Sequence, residues 1–115
     1  MTNEEYQVWS KSTAKYPQSY IDMFDPVYLR QRAVQTFPFY LLLGLNGECG
    51  EVTEIFKKFA RRSDITLTQE EKNKVKLELG DVLWYFTQIA TELGLTLSEI
   101  MEANKHKLEE RYSGR

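Results

Sequence analysis

Residues 39–61 read Phe39-Tyr-Leu-Leu-Leu-Gly-Leu-Asn-Gly-Glu-Cys-Gly-Glu-Val-Thr-Glu-Ile-Phe-Lys-Lys-Phe-Ala-Arg61, and their periodicity decides the fold. Leu41, Leu45, Val52, Ile55, Phe56 and Phe59 recur at helical spacing, so the stretch predicts a long amphipathic helix. At 1.5 Å per residue it spans roughly 35 Å. Working toward the C-terminus, Arg62 to Leu67 is a polar loop. Thr68 with Glu71 then forms a Thr-x-x-Glu capping box, which starts a second helix. That helix carries Val75, Leu79, Val82, Phe86, Ile89, Ala90 and Leu93, and Gly94 stands where a C′ glycine belongs. Thr96 with Glu99 repeats the capping box and opens a last helix to about Tyr112. Nothing after Pro38 alternates with period two for long enough to make a strand. The expected fold is all-α, a helical bundle.

Working toward the N-terminus, Pro17, Pro26 and Pro38 chop the first third into short pieces. Asn3 to about Ala14 predicts a first helix, with Tyr6 and Trp9 three apart. Tyr16 to Pro26 reads as irregular, and Tyr28 to Val34 allows a short helix. A chain of 115 residues, 42 % hydrophobic and 28 % charged, is one domain's worth of soluble globular protein, residues 1–115. A formal charge of −2 argues against a nucleic-acid binder working through the phosphate backbone. Cys49, the single cysteine, excludes an internal disulfide and fits a reducing compartment. The N-terminus lacks the pattern of a signal peptide, and the apolar runs are too short for a membrane span. The expected location is cytoplasmic, with no membrane partner.

The second long helix is apolar on two sides, because Leu77 and Trp84 lie seven apart opposite its main stripe. A helix apolar on two faces is buried on two faces. A chain this short cannot easily cover both, so a homodimer or homotetramer is expected to complete the bundle. The alternative is that the N-terminal segment folds over the second face.

The informative residues are acids in costly places. At 100° per residue Glu48 falls within about 30° of the centre of the apolar stripe, between Leu45 and Val52, and Glu51 lies one turn on at its rim. An ionised carboxylate taken out of water needs a partner or a cation. Glu78 and Asp81 repeat the i, i+3 arrangement on the next helix, with Asp81 between Leu77 and Trp84. Four such carboxylates brought together would repel strongly without cations between them. Oxygen-only ligation suits Mg²⁺ or Mn²⁺. The sole histidine, His106, is not placed to complete a zinc or di-iron site and reads as solvated. Gly44, Gly47, Gly50 and Gly80 flank the acids, which predicts close approach of a backbone or ligand. Cys49 reads as a small core residue.

The last helix supplies the opposite charge. Asn104, Lys107 and Arg111 stand at i, i+3, i+7 on one face, a polar and basic line of the kind a metal-bound polyphosphate requires. Of the basic run Lys57, Lys58, Arg61 and Arg62, Lys58 shares a side with Glu51 and is the one placed to touch phosphate.

These residues match a known pattern. Glu48-Cys-Gly-Glu51, 26 intervening residues, then Glu78-Leu-Gly-Asp81 resembles the Glu-x-x-Glu … Glu-x-x-Asp signature of the MazG-like all-α nucleoside triphosphate pyrophosphohydrolases. Gly44-Leu-Asn-Gly-Glu-Cys-Gly-Glu-Val52 looks like that family's first motif helix. Asn104-Lys-His-Lys107-Leu-Glu-Glu-Arg111-Tyr112 is similar to its Asn-x-x-Lys-x-x-x-Arg-Tyr ending. The likeness covers roughly residues 39–112, the implied catalytic core. It implies a helical bundle completed by dimerisation, sometimes as a dimer of dimers. It also implies Mg²⁺ held by Glu48, Glu51, Glu78 and Asp81, with Lys107 and Arg111 on the phosphates and Asn104 assisting. Such enzymes cut a nucleoside triphosphate between the α and β phosphorus atoms, releasing nucleoside monophosphate and pyrophosphate. Glu48 or Glu51 would also help deprotonate the attacking water.

The leading expectation is therefore a (deoxy)nucleoside triphosphate pyrophosphatase that removes unwanted nucleotides. Phosphoribosyl-ATP pyrophosphohydrolase and a dUTP- or dCTP-specific hydrolase are the neighbouring readings. From another class comes a non-catalytic metal-binding helical dimer. It differs in predicting that Glu48→Gln leaves function untouched.

Overall fold

A computed structural model of the chain describes residues 1–16, 39–62 and 66–112. These form four helices and no strand: α1 (Asn3–Ser12), α2 (Phe39–Ala60), α3 (Gln69–Glu92) and α4 (Leu97–Tyr112). The all-α expectation holds. The short helix expected at Tyr28 to Val34 lies outside the described residues, as does the irregular stretch beyond Tyr16.

Each helix start is closed by local chemistry. The Thr68 hydroxyl accepts from the Glu71 N–H at 3.1 Å, and the Glu71 carboxylate accepts from the Thr68 N–H at 2.9 Å. Thr96 and Glu99 repeat the exchange at 3.1 and 3.3 Å. Both capping boxes therefore satisfy backbone donors that the first helical turn leaves without partners. Thr2 does half of this for α1, accepting from the Glu5 N–H at 3.0 Å. The end of α3 is a Schellman motif. Leu95 N–H donates to the Ala90 carbonyl at 2.8 Å and Gly94 N–H to that of Thr91 at 3.0 Å. Gly94 has φ +73°, a left-handed conformation that a glycine adopts without steric penalty.

The chain divides into two compact units, one of Met1–Lys15 with Thr87–Arg115, the other Tyr16–Phe86. Helix α3 is continuous through the boundary, so its last turns belong to the first unit.

In the first unit Gln7 ties α1 to the α3–α4 junction. Its amide nitrogen donates to the Thr91 hydroxyl at 3.1 Å and the Leu95 carbonyl at 2.9 Å, while its oxygen accepts from the Leu97 N–H at 3.2 Å. That last bond satisfies one of the free donors at the start of α4. Ser98 donates to Glu4 at 3.0 Å, joining α1 to α4 again. The buried residues described here are Ser10, Thr87, Gln88, Ala90 and Leu97, and all but Leu97 are small or polar.

In the second unit α2 and α3 are linked at their loop ends by Arg62. Its guanidinium lies 2.9 Å from Glu71, donates to the Thr66 carbonyl at 3.2 Å and stands 4.8 Å over the Phe59 ring. The Thr68 N–H, and then Arg62, hold the Glu71 carboxyl below the usual carboxylate range. Leu41 is fully buried, and the Tyr16 ring meets Trp84 edge-on with centroids 6.3 Å apart.

Candidate functional site

Glu48 on α2 and Glu78 and Asp81 on α3 converge. One carboxylate oxygen from each lies within 4.8 Å of the others. The two acidic i, i+3 spacings thus do meet across the helix pair, three acids of the expected four. Glu51 is exposed and outside this cluster. Its charge is nevertheless felt at Glu48, whose carboxyl is pushed up first by burial and then by the charges of Asp81, Glu78 and Glu51. A half-buried carboxylate in that surrounding is what a cation would relieve. The donor set is all oxygen, with no histidine or cysteine in it, and so fits a hard divalent ion.

An aromatic wall borders the cluster. The Tyr85 ring meets Trp84 edge-on at 5.1 Å and Tyr40 at 6.4 Å. Burial raises the Tyr85 phenol above its ordinary range. Its hydrogen bond with Tyr40 and the charges of Glu48 and Asp81 raise it further. Gly44, one turn before Glu48, explains how the ring comes so close. A Cβ at residue 44 would overlap the Tyr85 side chain. The close approach expected from the glycines is real at Gly44 and involves a side chain. At Gly47, Gly50 and Gly80 a Cβ would meet nothing within 4 Å among the described residues, so the described chain itself makes no close approach there. Tyr85 is a residue the sequence reading does not single out. Its signal is the i+4 spacing from Asp81.

Cys49 is exposed rather than core. It lies about 70° off the centre of the α2 stripe at 100° per residue, too far round to be covered. His106 is exposed, as expected, with its Nε2 3.7 Å from Glu110. In the first unit Asn104, Lys107 and Arg111 are placed on α4 in the expected register, and all three are exposed. Lys58 is exposed near the end of α2. No helix among the described residues is long and apolar enough to cross a membrane.

Comparison with known proteins agrees with this geometry. Residues 38–115 match the model of the MazG nucleotide pyrophosphohydrolase domain. The Gene 37 protein of Mycobacterium phage L5 is 42 % identical over 72 residues, which are 63 % of this chain and 63 % of that protein. The match therefore spans less than two thirds of that relative's length, and its name states no activity. No solved structure matches. With its last 78 residues matched to one family, and with both acidic motifs in that stretch meeting at one place, this chain belongs to the MazG nucleotide pyrophosphohydrolase domain family.

Proposed function

We propose that this chain hydrolyses (deoxy)nucleoside triphosphates to nucleoside monophosphate and pyrophosphate, using Mg²⁺ or, in its place, Mn²⁺, and that it clears unwanted nucleotides. The observation that carries the reading is the convergence of Glu48, Glu78 and Asp81 within 4.8 Å in a chain of this family. When bound, the cation neutralises phosphate oxygens and draws electron density from the α-phosphoryl group.

The chain's own residues have distinct tasks in this reading. Glu78 and Asp81 hold the cation from α3, and Glu48 from α2, with Glu51 extending the acidic surface one turn on. Glu48 and Glu51 are the carboxylates assigned to take the proton of the attacking water. Asn104, Lys107, Arg111 and Lys58 are assigned to phosphate oxygens, which suits exposed cationic and amide donors. Water attacks the α-phosphorus, the anhydride bond to the β-phosphate breaks, and pyrophosphate leaves.

Phosphorus NMR of the protein with Mg²⁺ and a panel of canonical and modified triphosphates tests this. Pyrophosphate with monophosphate is the expected pair of products. Orthophosphate with diphosphate would mean cleavage at the wrong bond and would overturn the mechanism. No product from any triphosphate would turn attention to phosphoribosyl-ATP and then to the non-catalytic reading.

We assign the chain to a homodimer or homotetramer on the exposed apolar side chains of α3 in the second unit. Leu79, Leu83 and Phe86 fall at i, i+4, i+7 on α3 and are 51 %, 43 % and 39 % exposed. Leu77, on another side of the same helix, is 70 % exposed. Three large side chains in register on one helix are more than scattered surface hydrophobics. Leu83→Glu is expected to convert the assembly to monomer at micromolar concentration, read by sedimentation velocity. A wild type that sediments as a monomer would contradict the assignment.

A further inference from the structure

Two contacts between α2 and α3 run in step. Gly44 meets the Tyr85 ring, and Glu48 meets Asp81. Four residues on from Gly44 is Glu48, and four back from Tyr85 is Asp81. The two helices therefore pass in opposite directions, with these contacts on adjoining turns. The layer of the ring lies ~6 Å along the axes from the layer of the acids, at 1.5 Å per residue. All four residues belong to the second unit.

A Cβ at residue 44 would overlap the Tyr85 ring, so the ring rests against the α2 backbone itself. Its freedom to turn away is small, because Trp84 stands edge-on at 5.1 Å and Tyr40 at 6.4 Å. A rigid ring between a backbone and two other rings fixes how far apart α2 and α3 stand at that layer.

The spacing matters because the acidic cluster is divided between the helices. Glu48 comes from α2, Glu78 and Asp81 from α3, with their oxygens within 4.8 Å of one another. A change in helix separation moves Glu48 against the other two. Hard divalent cations differ in what they require of such a bite. Mg²⁺ demands near-ideal octahedral geometry at about 2.1 Å, whereas Ca²⁺ accepts flexible geometry at about 2.3–2.6 Å.

We propose that the Gly44–Tyr85 contact is a spacer that sets the bite of the three carboxylates and so the preference for Mg²⁺ over Ca²⁺. Tyr85 is a positioning residue, and it acts through its ring rather than its hydroxyl. The inference rests on the cation site proposed above and names what makes that site selective.

The test titrates Mg²⁺ alone and Ca²⁺ alone into the 115-residue chain and into Gly44→Ala, Tyr85→Leu and Tyr85→Phe. The apparent Kd of each cation is read from the rise in thermal midpoint at neutral pH. Gly44→Ala and Tyr85→Leu alter the spacer and should weaken Mg²⁺ roughly ten- to a hundred-fold, with Ca²⁺ weakened much less. Tyr85→Phe keeps the ring and should keep the wild-type ratio of the two constants. The two spacer variants lie on different helices, so failure of one to fold leaves the other to decide. Loss of folding in both would overturn the inference, since the contact would then hold the fold and not tune the site. An unchanged ratio in folded Gly44→Ala or Tyr85→Leu would also overturn it. So would a ratio in Tyr85→Phe altered as far as in Tyr85→Leu, which would transfer the effect to the hydroxyl. A wild type whose midpoint responds to neither cation overturns the cation site and the spacer with it, a result distinct from an unchanged ratio.

Discussion

Glu48→Gln is expected to lower pyrophosphate release by about 10²–10⁴-fold while leaving the helices in place. The substitution keeps the shape of the side chain and removes its charge. Two losses then coincide: the cation loses one of three converging ligands, and the attacking water loses a carboxylate that can take its proton. Stability should move the other way in the metal-free chain. Glu48 is held above the ordinary carboxylate range by burial and by three like charges, so neutralising it removes a repulsion. Its thermal midpoint should therefore be no lower than that of the wild type. Glu54→Gln is the control, because Glu54 is exposed and pairs with Lys57 only at 3.9 Å. It should alter neither rate nor midpoint. Near-normal turnover in Glu48→Gln would overturn both roles given to Glu48, as a ligand of the cation and as an acceptor of the water's proton.

The features legible in the sequence are those decided within a few residues. Thr68 with Glu71 and Thr96 with Glu99 close helix starts through bonds spanning three positions, so the motif and the structure coincide. Gly94 ends α3 because its conformation depends only on the turn it terminates. Glu48 was legible for a different reason: a carboxylate inside an apolar stripe is a local contradiction, and its solution is a partner on the next helix. What was not legible depends on the facing helix. Four glycines flank the acids, yet among the described residues only the one opposite Tyr85 is tightly met, and nothing in the spacing distinguishes Gly44 from Gly47. The orphaned amide of Gln88 is equally invisible, since a glutamine on a helix is ordinary until it proves fully buried with no partner among the described residues. Cys49 misleads for the converse reason, reading as core from its chemistry while the helix turns it outward.

Mg²⁺ should stabilise this chain most at neutral pH and least in acid, and the direction follows from Glu48. In the folded, metal-free chain its pKa is raised, and on unfolding it returns to the ordinary carboxylate value. Between those two values the folded state holds more proton than the unfolded one. Stability contributed by this group therefore falls as pH rises through the window, and the metal-free chain is favoured on the acid side. A cation held by Glu48, Glu78 and Asp81 opposes that trend, because it binds the ionised carboxylates and must compete with protons for them. At a concentration 100 times its Kd it adds about 2.7 kcal/mol to the folded state. Thermal melts with and without Mg²⁺ across the carboxylate range should thus show a shift that is full near neutrality and vanishes as Glu48 protonates. The same shift should be lost in a Glu78→Gln, Asp81→Asn double variant, whose own metal-free midpoint should not fall. A Mg²⁺ shift of equal size in the double variant would place the ion elsewhere. No shift in the wild type at neutral pH would mean that these three carboxylates hold no cation in the absence of nucleotide.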